Sequence, residues 1–193
     1  MDLEAVLLTG GASRRMGSDK ASLAVGGTTL AERTLAEFDR VRVRATVLGR
    51  TPIEGRPFLS DVEEYAGPAV ALSRFVPSRG RVFVCSCDLP NFNADIVAVF
   101  VPLLEGHDAV LPTVCGRPQF LCAVYTSDAL ARLKPMVEGS QVRSMKKFVK
   151  TLDARLVDED ELERLGVTPL SVIGANTPEE MRRALEGSDG RPA

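Results

Sequence analysis

The sequence predicts an α/β protein: a single-domain, Rossmann-like three-layer sandwich with a mostly parallel sheet. Three observations predict it. Short, nearly continuous apolar runs (EAVLL, VRATVL, RVFVCSCD) alternate with amphipathic stretches, as in strands buried on both faces and joined by crossover helices. The 193 residues, 45% hydrophobic and 26% charged, suit one folded unit with its own core. The residues that break the pattern collect just after the apolar runs, at the strand ends where ligands of open α/β sheets sit.

The elements follow in order. EAVLL opens as a buried strand, and TTLAERTLAEF is a helix. Thr29 and Glu32 form a capping box at its start, each able to satisfy the other's free backbone donor. VRATVL is the second strand, GPAVALSRFV a helix and RVFVCSCD a strong strand. ADIVAVFVPLLE is a helix, and DAVLP and QFLCAVY are strands. DALARLKPMV and SMKKFVKTL are helices, SVIGAN a last strand and TPEEMRRALEG the final helix. Thr177 at its N-cap, Pro178 at its first position and Glu180 in the capping box mark that start. The domain is expected over residues 1–187, with 188–193 a frayed tail.

Composition narrows the function classes. A net charge of -2 does not suit a general nucleic-acid binder. The four cysteines (Cys85, Cys87, Cys115 and Cys122) contain no CxxC pair, and His107 is the sole histidine, so a zinc site or a histidine-based nucleophile is not expected. Cys85 and Cys87, two apart in a strand, are expected on one face. With no signal-like segment and no run of 18 apolar residues, a cytoplasmic, reduced protein without a membrane role is expected.

The segment LLTGGASRRMGSDKASL follows the first strand. Gly10 and Gly11 remove side chains where the chain leaves the sheet, which lets a ligand approach backbone amides. Arg14, Arg15 and Lys20 add three cations, a set that suits a triphosphate. Neither the GxxxxGK[ST] phosphate loop nor the GxGxxG dinucleotide pattern is present. Downstream, Asp88 closes an apolar run and Pro90 ends the strand. A carboxylate there needs a partner or a metal. One hard oxygen ligand plus phosphates and water is how Mg²⁺ is usually held, and capping of the next helix is the competing role. Asp61, ahead of Gly67-Pro68, is either a base-reading carboxylate or a surface loop residue. Arg117 and Gln119 sit at the mouth of a strand, suited to an anionic heteroaromatic acceptor or simply the polar ends of an edge strand. Ser144, Lys146 and Lys147 either extend that acceptor site or form an exposed helix face.

The first loop resembles the signature LxxGxxxRMGxxK of nucleotidyltransferases with a GT-A-like fold of the nucleotide-diphospho-sugar transferase type. Leu8, Gly11, Arg15, Met16, Gly17 and Lys20 match it. The Gly10-Gly11 and Asp19-Lys20 pairs are similar to the molybdenum cofactor guanylyltransferase (MobA) branch; cytidylyl and uridylyl relatives carry Ala-Gly at the first pair. The resemblance implies nucleotide binding by Leu8, Thr9, Gly10, Gly11, Lys20, Asp61 and Asp88, and catalysis by Arg15, Lys20 and Asp88. It implies Mg²⁺ on Asp88, with guanine donors read by Asp61. It implies acceptor contacts from Arg117, Gln119 and Asn176. Two positions depart from the family. VLGR (residues 47–50) lacks the asparagine placed beside the base, and Gly174 stands where the closing motif has an earlier asparagine.

The implied reaction moves GMP from GTP to the molybdopterin form of the molybdenum cofactor and releases pyrophosphate. GTP and molybdopterin are the implied substrates, with transient contact to molybdoenzyme apoproteins or cofactor-insertion proteins. Cytidylyl or sugar-phosphate transfer on the same fold, and a non-catalytic GTP-binding or cofactor-escort module, are the competing expectations. Base selectivity separates the first from guanylyl transfer, and pyrophosphate release the second.

Overall fold

Apolar strands with no polar face need cover on both sides, and the computed structural model supplies it. It describes residues 2–10, 24–25, 27–61, 66–175 and 177–186. The eight-stranded sheet contains β1 (Leu3–Leu8), β4 (Ala45–Gly49), β5 (Phe58–Ser60), β6 (Arg81–Ser86), β7 (Ala109–Val114), β8 (Arg117–Pro118), β9 (Cys122–Thr126) and β10 (Ala154–Val157). A separate two-stranded hairpin joins β2 (Ala24–Val25) to β3 (Thr28–Thr29).

The strand order is β10-β7-β9-β6-β1-β4-β5, with β8 on β7. The pairs β1–β4, β1–β6, β4–β5 and β7–β10 are parallel, whereas β9 runs antiparallel to both β6 and β7. The mostly parallel expectation thus holds with β9 reversed. The turn at Cys115–Gly116 explains the reversal: both residues have positive φ (49° and 69°), which folds β8 back on β7.

One face of the sheet packs on α1 (Leu30–Arg40), α3 (Asp95–Leu103) and α7 (Glu159–Arg164). Phe38, Phe83 and Phe92 form its aromatic centre, with ring centroids 5.3–6.0 Å apart. The other face packs on α2 (Pro68–Leu72), α4 (Ser127–Ala131), α5 (Leu133–Glu138) and α6 (Met145–Val149). Three layers result, as expected. The final helix α8 (Pro178–Glu186) docks Met181 against Leu30 and Ala175.

Local signals explain several boundaries. Thr29 and Glu32 make the predicted reciprocal capping box of α1, and Thr177 Oγ1 accepts from Glu180 N at 3.1 Å at the start of α8. The single helix expected over DALARLKPMV is broken at Arg132. Pro135 lacks the N–H that would bond the carbonyl of Ala131, and its ring crowds that carbonyl. The helix expected over GPAVALSRFV is confined to α2.

The strand expected at SVIGAN is corrected. Pro169–Val172 is a 3₁₀ turn, closed by Ser171 N and Oγ donating to Thr168 O at 3.0 and 2.7 Å. β6 ends at Ser86, so Asp88 lies beyond the strand and Cys87 just outside it; Cys85 and Cys87 still share one core face. β2, β3, β5, β8, β10 and α7 were not anticipated. Among the described residues no helix is long and apolar enough to cross a membrane. The tail 188–193 lies outside the described residues.

Candidate active site

The chain leaves β1 to build β4 and β5 on one side of it, then returns to build β6 on the other. Ligands of open α/β sheets bind at such a switch in strand order, outside the strand C-terminal ends. There the backbone bonds continue past the strands. Asp61 N donates to Gly49 O at 2.7 Å, Thr9 N to Leu48 O at 2.9 Å, Cys87 N to Leu8 O at 3.1 Å and Ala175 N to Asp88 O at 2.9 Å. These bonds set the Asp61, Gly49, Thr9 and Asp88 segments side by side.

On the β4 side, the approach of β1 to β4 is so close that residue 49 must be glycine. A Cβ there would lie 2.0 Å from Thr9 Oγ1 and 3.2 Å from Gly10 N. Gly10 is exposed, and a Cβ on it would meet Asp61 Oδ2 at 3.3 Å. Gly10 and Asp61 therefore form one small wall. Leu8 and Thr9 are buried: the Leu8 side chain belongs to the core, and Thr9 Oγ1 donates to Leu48 O at 3.4 Å. At this strand end, Gly10 is the residue that faces out.

On the β6 side, half-buried Asp88 lines a cavity of about 620 Å³. Arg117, Gln119, Ser144, Lys146 and Gly174 line it too, as do Pro68, Cys115, Phe120 and Leu121. The structure thus brings Asp88, Arg117 and Gln119 together across some thirty residues of sequence. Arg117 and Lys146 are exposed cations with no ion pair among the described residues. Gln119 donates through Nε2 to Arg117 O at 3.0 Å. Ser144 caps α6 by accepting from Lys147 N at 3.3 Å, and Lys147 does not line the cavity. The apolar wall was hidden because Phe120 and Leu121 read as strand; the strand starts only at Cys122.

Asp88 itself accepts from Ser86 Oγ at 2.6 Å on Oδ1. A Cβ on Gly174 would sit 3.5 Å from Oδ1 and 3.6 Å from Oδ2, so position 174 lies directly against this carboxylate. Burial pushes the thiols of Cys85 and Cys122 up, and the Asp88 charge pushes them further. Both thiols thus stay protonated, leaving hard oxygen as the donor chemistry here. Among the described residues no group of three His, Cys, Asp or Glu side chains forms a metal cage. A cation at Asp88 would complete its shell with ligand oxygens and water, the usual manner of Mg²⁺. Gly11, Arg15, Lys20 and Asn176 lie outside the described residues.

Known proteins share this architecture. A Mycobacterium tuberculosis protein described as a probable molybdenum cofactor guanylyltransferase is 33% identical over 190 residues, covering 91% of this chain and 92% of its own length. The crystal structure of molybdopterin-guanine dinucleotide biosynthesis protein A from Archaeoglobus fulgidus has the same fold. Its TM-score is 0.80 at 20% identity, with 97% of this chain and 100% of that chain covered. A further M. tuberculosis protein, Rv0371c, was solved in complex with manganese; it shares the fold at TM-score 0.67 and 15% identity, over 96% of this chain and 99% of that chain. The model of the MobA-like NTP transferase domain matches residues 5–156. That match runs from the first strand of the sheet to the last, and the chain belongs to the MobA-like NTP transferase family.

Proposed function

We propose that this nucleotidyltransferase transfers GMP from GTP to the terminal phosphate of molybdopterin, releasing pyrophosphate. The observation that carries the proposal is the joint position of Asp88. It borders the strand ends that present Gly10 and Asp61 and also lines the cavity that holds Arg117, Gln119 and Lys146. A group held at Asp88 is therefore shared by a nucleotide on one side and an acceptor on the other. The relative named for the same reaction, at 33% identity over nearly the whole chain, supports these substrates.

In the proposed reaction an acceptor phosphate oxygen forms a bond to the α-phosphorus of GTP. The bond from that phosphorus to the α–β bridging oxygen breaks, and pyrophosphate leaves with the electron pair. The nucleophile is already an anion, so no general base is required. Asp61 accepts from the guanine N1–H and N2–H, and Gly10 and Gly11 offer backbone to the nucleotide. Arg15 and Lys20 hold the phosphates and stabilise the departing charge. Arg117, Gln119 and Asn176 orient the acceptor. Asp88 would hold Mg²⁺, which supplies charge neutralisation at the phosphate oxygens.

Pyrophosphate release tests the proposal, with Mg²⁺, molybdenum-loaded molybdopterin and GTP, CTP, ATP or UTP in turn. Release with GTP alone is expected. Preference for CTP would transfer the site to cytidylyl chemistry, and GTP binding without release would make it an escort module. Asp88→Ala and Lys20→Ala are each expected to lose at least about 10²–10³-fold in rate with the fold intact, equivalent to roughly 2.7–4 kcal/mol of transition-state stabilisation.

A further inference from the structure

We infer that Ser86 is a positioning residue for Asp88, holding its carboxylate in the orientation that receives the divalent cation. The inference rests on the proposed role of Asp88 as the cation ligand.

Ser86 is the last residue of β6, and the backbone on both sides of its side chain is fixed. Its N–H donates to Leu121 O at 2.9 Å, and the next N–H, of Cys87, donates to Leu8 O at 3.1 Å. The hydroxyl thus stands on a platform held by β1 and by the segment that leads into β9. It has one proton and two acceptors in range: Asp88 Oδ1 at 2.6 Å and Leu121 O at 3.5 Å. The shorter contact takes the proton, and 2.6 Å is a short, well-formed O–H···O bond.

Gly174 lies beside the same carboxylate, where a Cβ would sit 3.5 Å from Oδ1 and 3.6 Å from Oδ2, and it brings no side chain of its own. The Asp88 main chain is fixed separately, by Ala175 N donating to Asp88 O at 2.9 Å. That bond sets the backbone, and the Ser86 hydroxyl acts on the side-chain torsions. Carboxylates that ligate metals are themselves held by hydrogen bonds, and loss of such a partner typically weakens metal binding about 10–100-fold.

The test is a Mn²⁺ titration of the full chain with GTP present, read from the electron paramagnetic resonance signal of free Mn²⁺. Ser86→Ala is expected to weaken Mn²⁺ binding about 10–100-fold with an unchanged unfolding midpoint. Ser86→Thr is expected to restore it. If Ser86→Ala lowers the midpoint, Ser86→Cys, which keeps the volume and removes the strong donor, is expected to show the same weakening. In turnover, Ser86→Ala should raise the apparent KM for Mg²⁺ by the same factor, with kcat recovered at saturating metal. Wild-type affinity in Ser86→Ala, alongside loss in Asp88→Asn, would overturn the positioning role and leave the proposed function standing. Wild-type affinity in Asp88→Asn as well would overturn both.

Discussion

Two glycines at the site are glycine for different reasons, and the same substitution separates them. At Gly49 an added methyl group meets Thr9 Oγ1 at 2.0 Å, and the backbone N of Gly10 bars the other way at 3.2 Å. Thr9 is buried and tied to Leu48, so nothing nearby yields easily. Gly49→Ala is expected to destabilise by about 1–3 kcal/mol, as overpacking does. Adding Thr9→Ala should recover part of that loss, because the closest atom is removed; urea unfolding of the single and double variants measures both. At Gly10 the methyl group meets the far end of the Asp61 side chain at 3.3 Å, and that end can shift by a few tenths of an ångström. Gly10→Ala is therefore expected to keep stability within roughly 0.5 kcal/mol while moving the carboxylate proposed to read guanine. Its effect should show in the GTP-to-CTP ratio of kcat/KM. An unchanged ratio would remove Asp61 from base selection.

The helix that follows the first loop has its own anchor, which fixes where α1 starts. Thr29 Oγ1 accepts from Glu32 N at 3.2 Å, and Glu32 Oε2 accepts from Thr29 N at 2.7 Å. Thr29→Ala should cost about 1 kcal/mol, the usual worth of such a cap. The backbone N–H of Thr29, and then its hydroxyl, hold the Glu32 carboxyl below its ordinary value of 4.5. A group lowered on folding contributes stability that is full above its ordinary pKa and is lost as pH falls through the lowered value. Glu32→Gln should therefore reduce stability at neutral pH and narrow the difference from wild type progressively below pH 4.5. Parallel acid limbs in the two proteins would show that this carboxylate does not hold the cap. Both residues were legible in the sequence because the motif is local. The 3₁₀ turn at Pro169–Val172 was not, since its apolar run matches a strand and only the Ser171–Thr168 bonds decide otherwise.

At the scale of the molecule, what was legible is what neighbours in sequence determine. β1, β6 and β7 read as strands because they are apolar on both faces, and Asp88 stood out because a carboxylate after such a run needs a partner. β5 and β10 are too short to signal themselves and exist by pairing with β4 and β7. The reversal of β9 depends on a turn with two positive-φ residues, one of them a cysteine that carries no such signal. Likewise Ser86 and the strict glycine at 49 act through contacts made only once the sheet is assembled. The same assembly yields the last prediction. Asp61 follows β5 and Asp88 follows β6, on opposite sides of β1, so a ligand that engages both binds the folded chain and not the unfolded one. GTP with Mg²⁺ at a hundred times its dissociation constant should raise the unfolding free energy by about 2.7 kcal/mol. For a chain of this size that corresponds to a rise of roughly 5–10 °C in Tm by scanning calorimetry. CTP at the same concentration should give a smaller rise, and Gly49→Ala should abolish the GTP effect by displacing Thr9 and Gly10. If GTP leaves the wild-type Tm unmoved, the strand-end crevice is not where the nucleotide binds.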